Sequence, residues 1–205
     1  MAHPARQSAV DGRFADPVMD AHAVFRAVMA ALAEPGTIHD LAPDIAPPAG
    51  LGPAVAAVLL TLSDSHTSVW LAGDPAAGRG LADWLAFQTG APVTGERGEA
   101  VFAVFPESGG FDGLAGFALG TDDYPDRSAT LIVAVDTLRD GPPLTLAGPG
   151  IRDKARLAPG PLPAGFVESW AENRALFPRG VDIIFAAGRE IAALPRTTEI
   201  GEAEV

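Results

Sequence analysis

The stretch Thr130-Leu131-Ile132-Val133-Ala134-Val135 decides the fold. It is continuously apolar and rich in β-branched residues instead of alternating, which is the pattern of a strand covered on both faces. Such a strand needs a layer on each side, so helices packed against a mostly buried sheet are expected. Strands of similar character follow in both directions. Ala100 to Phe105, Ser68-Val69-Trp70-Leu71 and the short Thr37 to Leu41 lie upstream, and Leu144-Thr145-Leu146 and Val181 to Phe185 lie downstream.

Helices are expected between them. Asp16 can cap a first helix with Pro17 at its first position. Val18, His22, Phe25, Met29 and Leu32 then recur at spacings of four and three as one apolar face, and Glu34-Pro35-Gly36 ends the helix. Ala54 to Leu62 is apolar all round and reads as a buried helix. Asp74-Pro75 opens a helix through Leu81, Trp84, Leu85 and Gln88, with Gly90 as its left-handed stop. Phe166, Trp170, Asn173 and Phe177 share a face of a last helix that stops at Pro178. Pro106 to Arg127 is rich in Gly and Asp and reads as loop. Leu194 to Thr198 closes the ordered chain, and Gly201 to Val205 reads as a frayed tail. The elements alternate, so the fold class is α/β with one domain over 1–205 and an ordered core of about 16–200.

Composition excludes several classes. The net charge of −12 and a pI near 4.6 disfavour a nucleic-acid partner and an acidic membrane surface. With no cysteine there is no disulfide, thiolate metal site or thiol nucleophile. The opening MAHPARQSAVDGRF lacks the apolar core of a secretory signal. The most apolar run, Val55 to Leu62, is far shorter than the roughly 20 residues of a membrane span. A cytoplasmic, soluble chain is expected. Lys154 is the sole lysine. The arginine-rich remainder suits phosphate handling, and equally follows from GC-rich codon usage.

Each motif has a structural reading beside its functional one. Gly73 to Gly80 imitates a phosphate-binding P-loop, but Arg79 replaces the lysine and Gly80 the magnesium-binding hydroxyl. Ser63, Asp64, Ser65 and His66 hold the residue types of a hydrolase triad, but chain neighbours rarely face a common centre. A turn in which Asp64 bonds nearby backbone is the default. Asp122, Asp123 and Asp126 read as solvated turn residues, and no metal motif stands out. Gly148-Pro149-Gly150 before Arg152 could meet an anion and is also a structural turn. Arg196-Thr197-Thr198 is a compact donor set for phosphate or carboxylate. Equally, Arg196 could pair with a structural carboxylate while the threonines extend a strand edge. Candidate anion-binding or pocket residues are therefore Asp64, Arg152, Arg196, Thr197 and Thr198, with no catalytic residue assigned.

Taken in order along the chain, these pieces resemble the PhnH family of phosphonate metabolism. The resemblance rests on Phe25-Arg26 through Glu34-Pro35-Gly36, Val58 to Leu62 with Asp64, and Thr67 through Leu71. It continues in Phe87, Thr89-Gly90-Ala91-Pro92, Ala129 to Ile132, Leu146, Gly148 and Gly150-Ile151. It ends with Phe177-Pro178, Gly180-Val181-Asp182 and Pro195-Arg196-Thr197-Thr198. The resemblance implies a subunit of the carbon–phosphorus lyase core complex, with a homodimer and PhnG, PhnI and PhnJ as companions. With PhnL, such subunits support transfer of the ribose triphosphate of ATP to methylphosphonate. The implied fold is a three-layer α/β/α sandwich with a mixed sheet, like PLP-dependent transferases but without the cofactor. Binding of PLP is not expected, because Lys154 sits in a charged segment that keeps its amine an ordinary surface one. Gln88 stands where histidine is expected in some relatives, and its amide does not titrate near neutrality. Alternative readings are a stand-alone transferase, or a phosphonate- or nucleotide-binding module, with a pocket near Asp64 and Arg196.

Overall fold

The computed structural model describes residues 12–41, 43, 45–73 and 78–201. A seven-stranded mixed sheet runs through it. Its strands are β1 (His39–Asp40), β2 (Val69–Leu71), β3 (Val93–Thr94), β4 (Phe102–Phe105), β5 (Thr130–Ala134), β8 (Asp182–Ala187) and β9 (Glu190–Leu194), in the order β1-β9-β8-β5-β4-β2-β3. From β3 to β8 the neighbours are parallel, and β9 and β1 are antiparallel additions at one edge. A smaller antiparallel sheet contains β6 (Leu144–Ala147) between β7 (Ala155–Leu157) and β10 (Glu199–Gly201).

Four α-helices are described, α1 (Pro17–Ala33), α2 (Pro53–Leu62), α3 (Arg79–Thr89) and α4 (Phe166–Ala175), with short 3-10 turns at Arg97–Glu99 and Pro125–Arg127. The chain is thus α/β. The deciding stretch lies in the middle of the sheet: Leu131 and Val133 face one core and Ile132 the other, all three fully buried. Buried residues of α1, α2 and α3 pack against Val69, Val104, Ile132 and Ile184 on one face. The second face is covered by a mixture: Phe166 and Trp170 of α4, Leu144, Leu146 and Leu157 of the small sheet, and Phe111 and Phe117 of the long loop after β4.

Helix α1 begins as its sequence predicts. The Asp16 carboxylate accepts from the Val18 and Met19 amides, and Asp20 accepts from the Asp16 amide, so orphan donors at the start are satisfied. Its buried face is a correction. Val24, Val28 and Ala31 are buried, whereas Val18, His22, Phe25 and Met29 are exposed and only Leu32 of the expected row is half-buried against the core. Both rows obey the same four-and-three spacing, and they lie roughly a third of a turn apart on a helix of 100° per residue. The small row goes inward because α2 presents Ala54, Ala56 and Ala57, and short side chains on both helices permit close approach.

Other differences are local. The Asp74-Pro75 helix start lies outside the described residues, and the described helix begins at Arg79 behind Gly78. Phe177 does not continue the buried face of Phe166, Trp170 and Asn173; it follows the end of α4 and is 63% exposed. Strands β3, β7, β9 and β10 were not anticipated. Strand β9 pairs with β8 across Gly188-Arg189, where Gly188 takes a left-handed φ of 57° that suits a tight hairpin. Its Ala192-Ala193 centre has little strand propensity, and burial against both cores holds it in place.

Candidate functional site

The most connected polar group in the described chain is built on β8 and β9. Asp182 opens β8, and Arg196 follows β9, its antiparallel neighbour. Ile183 pairs with Leu194, so the register carries Arg196 back beside Asp182. The guanidinium lies across the carboxylate, with Nε donating to Oδ1 at 3.1 Å and Nη2 to Oδ2 at 2.5 Å, while the Arg196 amide donates to Oδ1 at 2.7 Å. Nη2 also donates to the Ser128 hydroxyl at 2.5 Å, and Nη1 donates to the carbonyls of Pro125 and Pro178 at 3.0 and 3.3 Å. A guanidinium has five N–H groups, and all five are engaged here. Both side chains are largely buried, at 13% and 20% exposure.

Of the two sequence readings of Arg196, pairing with a structural carboxylate is the one the structure shows. The guanidinium ties together the loop before β5, the turn after α4 and the turn after β9. With Asp182 it forms part of the wall of a shallow groove of about 370 Å³, whose other lining residues are Pro125, Asp126, Phe177, Pro178, Pro195 and Thr197. Thr197 is half-buried at this groove, and Thr198 is fully buried below it. The Thr198 carbonyl accepts from the Trp170 indole at 2.8 Å, and its hydroxyl has no partner among the described residues.

The remaining candidates do not gather here. Asp64 lies before β2, three strands away from β8 in the sheet order, or roughly 14 Å at normal strand spacing. Its carboxylate accepts from the His66 amide at 2.8 Å, and its carbonyl accepts from the Thr67 amide, so it closes a local turn. Ser63 is buried while Asp64, Ser65 and His66 are exposed, and these side chains form no triad. Arg152 is exposed after the Gly148–Gly150 turn, in the connection between β6 and β7. Asp64, Ser128, Asp182 and Arg196 all lie toward the amino ends of the parallel strands. Open α/β sheets bind ligands at the opposite, carboxyl ends.

One ion pair carries a pH signature. Arg139 forks onto Glu190 at 2.5 and 2.7 Å, tying the loop after β5 to β9. Hydrogen bonding from Arg139 holds the Glu190 carboxyl below its ordinary pKa. A lowered folded-state pKa contributes stability above the unfolded-state value, and that contribution disappears as pH falls through the folded-state value. Wild type should therefore lose its thermal advantage over Glu190→Gln as pH drops below the ordinary carboxylate range of about 4.3. A melting-temperature difference that is flat with pH would contradict this.

Among the described residues, no three His, Asp or Glu side chains group as metal ligands, and no helix is long and apolar enough to cross a membrane. Lys154 is exposed just before β7. The fold and this polar centre define an α/β protein in which a multiply hydrogen-bonded, largely buried ion pair holds loops together.

Residues 12–201 match the family of bacterial phosphonate metabolism proteins called PhnH. The chain belongs to the PhnH family. It is 47% identical over 197 residues to the alpha-D-ribose 1-methylphosphonate 5-triphosphate synthase subunit PhnH of Rhizobium meliloti (strain 1021), covering 96% of this chain and 98% of that one. It is also 40% identical over 82 residues to HtxG of Stutzerimonas stutzeri, a protein named for C-P lyase, covering 40% of this chain and 42% of that one.

Proposed function

We propose that this chain is a cytoplasmic subunit of the carbon–phosphorus lyase core complex. It would support transfer of the ribose triphosphate of ATP to methylphosphonate within an assembly, as a single domain that pairs with itself and with PhnG-, PhnI- and PhnJ-like chains. The scaffold would be the α/β/α arrangement of PLP-dependent transferases, used without that cofactor. The Rhizobium relative supports this reading, since its name makes it a subunit of the synthase for that product.

The observation that carries the assembly reading is the outer row of α1. Val18, Phe25 and Met29 stand exposed on one stripe, while the other apolar row of the same helix is buried. A helix apolar on both sides is normally covered on both sides. A partner chain would supply the second cover. The alternative of a self-sufficient pocket at Arg196 gains nothing from the geometry, because that guanidinium has no N–H left for an external anion.

A bacterial strain lacking its own PhnH tests the proposal. Expression of this chain should restore growth on methylphosphonate as sole phosphorus source, and a folded chain that fails to do so would oppose it. Phe25→Asp with Met29→Asp should abolish rescue. These positions are exposed, so folding stability should change by only about 0.5 kcal/mol per site. Full rescue by the double variant would remove the α1 stripe from the account.

A further inference from the structure

The carboxyl end of β2 is where the chain parts to two sides of the sheet. After β2 it turns to the helical face and forms α3, whose Trp84 and Leu85 join the core there. After β4 it turns to the other face, where Phe111 and Phe117 pack. Strand β3 lies on one side of β2 and β4 on the other, and the chain then proceeds away from β2 through β5 to β8. In an open α/β sheet such a reversal leaves a crevice outside the carboxyl ends of the strands, and ligands bind in it.

That crevice is present. Two hollows of about 190 and 300 Å³ share Leu71, Ala72, Gly73 and Gly78 at the end of β2. The first extends to Leu81 and Glu107, the second to Trp70 and Arg79. Most of the wall is apolar. Its cation and its carboxylate lie in different lobes, and among the described residues the Arg79 guanidinium meets no carboxylate.

We infer that this crevice binds a phosphate or phosphonate ester that carries a hydroxyl-bearing organic group. Arg79 meets the anionic end. Leu71 and Leu81, both on the helical face, take the organic part, and Glu107 in the far lobe accepts from its hydroxyl. A carboxylate at that end disfavours ligands charged at both ends. The choice of ligand class rests on the proposed function; the location rests on topology and cavity alone.

The test uses the full chain and ATP as probe, read by tryptophan fluorescence. Trp70 borders the crevice, with its indole packed on Phe105 and Phe117 beneath Arg97, whereas Trp84 and Trp170 are buried in the cores. A saturable change is expected with ATP, weakened about tenfold or more in Arg79→Ala by loss of a charge-assisted contact. Arg156→Ala, exposed on β7 of the small sheet, should bind as wild type. Isothermal titration should give the same ranking, with Glu107→Gln weaker than wild type. Inorganic phosphate should bind more weakly than ATP, since it fills one lobe. Equal affinity for phosphate, or unchanged ATP binding by Arg79→Ala, would overturn the proposal. So would the absence of saturation up to about 1 mM ATP, both for the chain alone and for its complex with companion subunits. A chain that rescues growth without binding ATP would sink this site and leave the proposed function standing.

Discussion

Arg196→Ala is expected to destabilise the protein by about 3 kcal/mol or more, the range found when one partner of a buried ion pair is removed. Asp182 would keep a largely buried carboxylate without its guanidinium, and the Pro125 and Pro178 carbonyls and the Ser128 hydroxyl would lose a donor. For a chain of this size that corresponds to a fall in melting temperature of roughly 6–12 °C. Arg196→Lys should recover little of it. An ammonium carries three donors from a single point and cannot reach a carboxylate, a hydroxyl and two carbonyls in separate directions. Thermal denaturation of both variants decides the matter. A melting temperature near wild type for Arg196→Ala would mean the network is not structural, and would return Arg196 to the pool of ligand-binding candidates.

The second large effect is expected at Gly150. Its φ is +82°, where side chains are strained by about 1–2 kcal/mol. A Cβ there would also stand 2.0 Å from the Ala33 carbonyl oxygen and 3.0 Å from Pro35. Ala33 is the last residue of α1 and Pro35 follows its cap, so the backbone at the helix end must move, at a further cost of about 1–3 kcal/mol. Gly150→Ala, which already places that Cβ, should therefore lower stability by about 3 kcal/mol in total. Gly50, before α2, is a control for φ alone: it has φ +86° with no atom within 4 Å of its Cβ. Gly50→Ala should show the smaller, conformational effect. Equal melting temperatures for the two variants would mean that the close approach of the small sheet to α1 contributes nothing.

The same position illustrates what sequence reading can resolve. Gly148-Pro149-Gly150 offered either an anion nest or a structural turn, and nothing local separates them. The separating fact is the carbonyl of Ala33, more than a hundred residues away. Arg196 behaved similarly: its partners Asp182, Ser128, Pro125 and Pro178 are far apart in the chain, so its saturation could be seen only after folding. The central strand, by contrast, was legible because burial on both faces imposes a one-dimensional signature. So were the capping of α1 and the left-handed end of α3 at Gly90, which depend on residues within a few positions.

Helix α1 shows a further limit. Two apolar rows with identical periodicity were both visible, and preference for the larger side chains selected the wrong one. Which row meets α2 depends on the alanines of α2, a tertiary fact. The error is informative, since a row of Val18, Phe25 and Met29 left outside is hard to reconcile with a helix that has only one partner. The crevice at the end of β2 was hidden for a related reason. Strand β3 is only Val93-Thr94, β-branched but too short for any periodicity to show, and without it the reversal of strand order cannot be read.

Native mass spectrometry of the chain co-expressed with PhnG-, PhnI- and PhnJ-like proteins from the same genome tests the central claim most directly. The account predicts a stoichiometric complex containing this chain, lost when Phe25 and Met29 are both replaced by aspartate. A folded wild-type chain that stays apart from all three partners would contradict it.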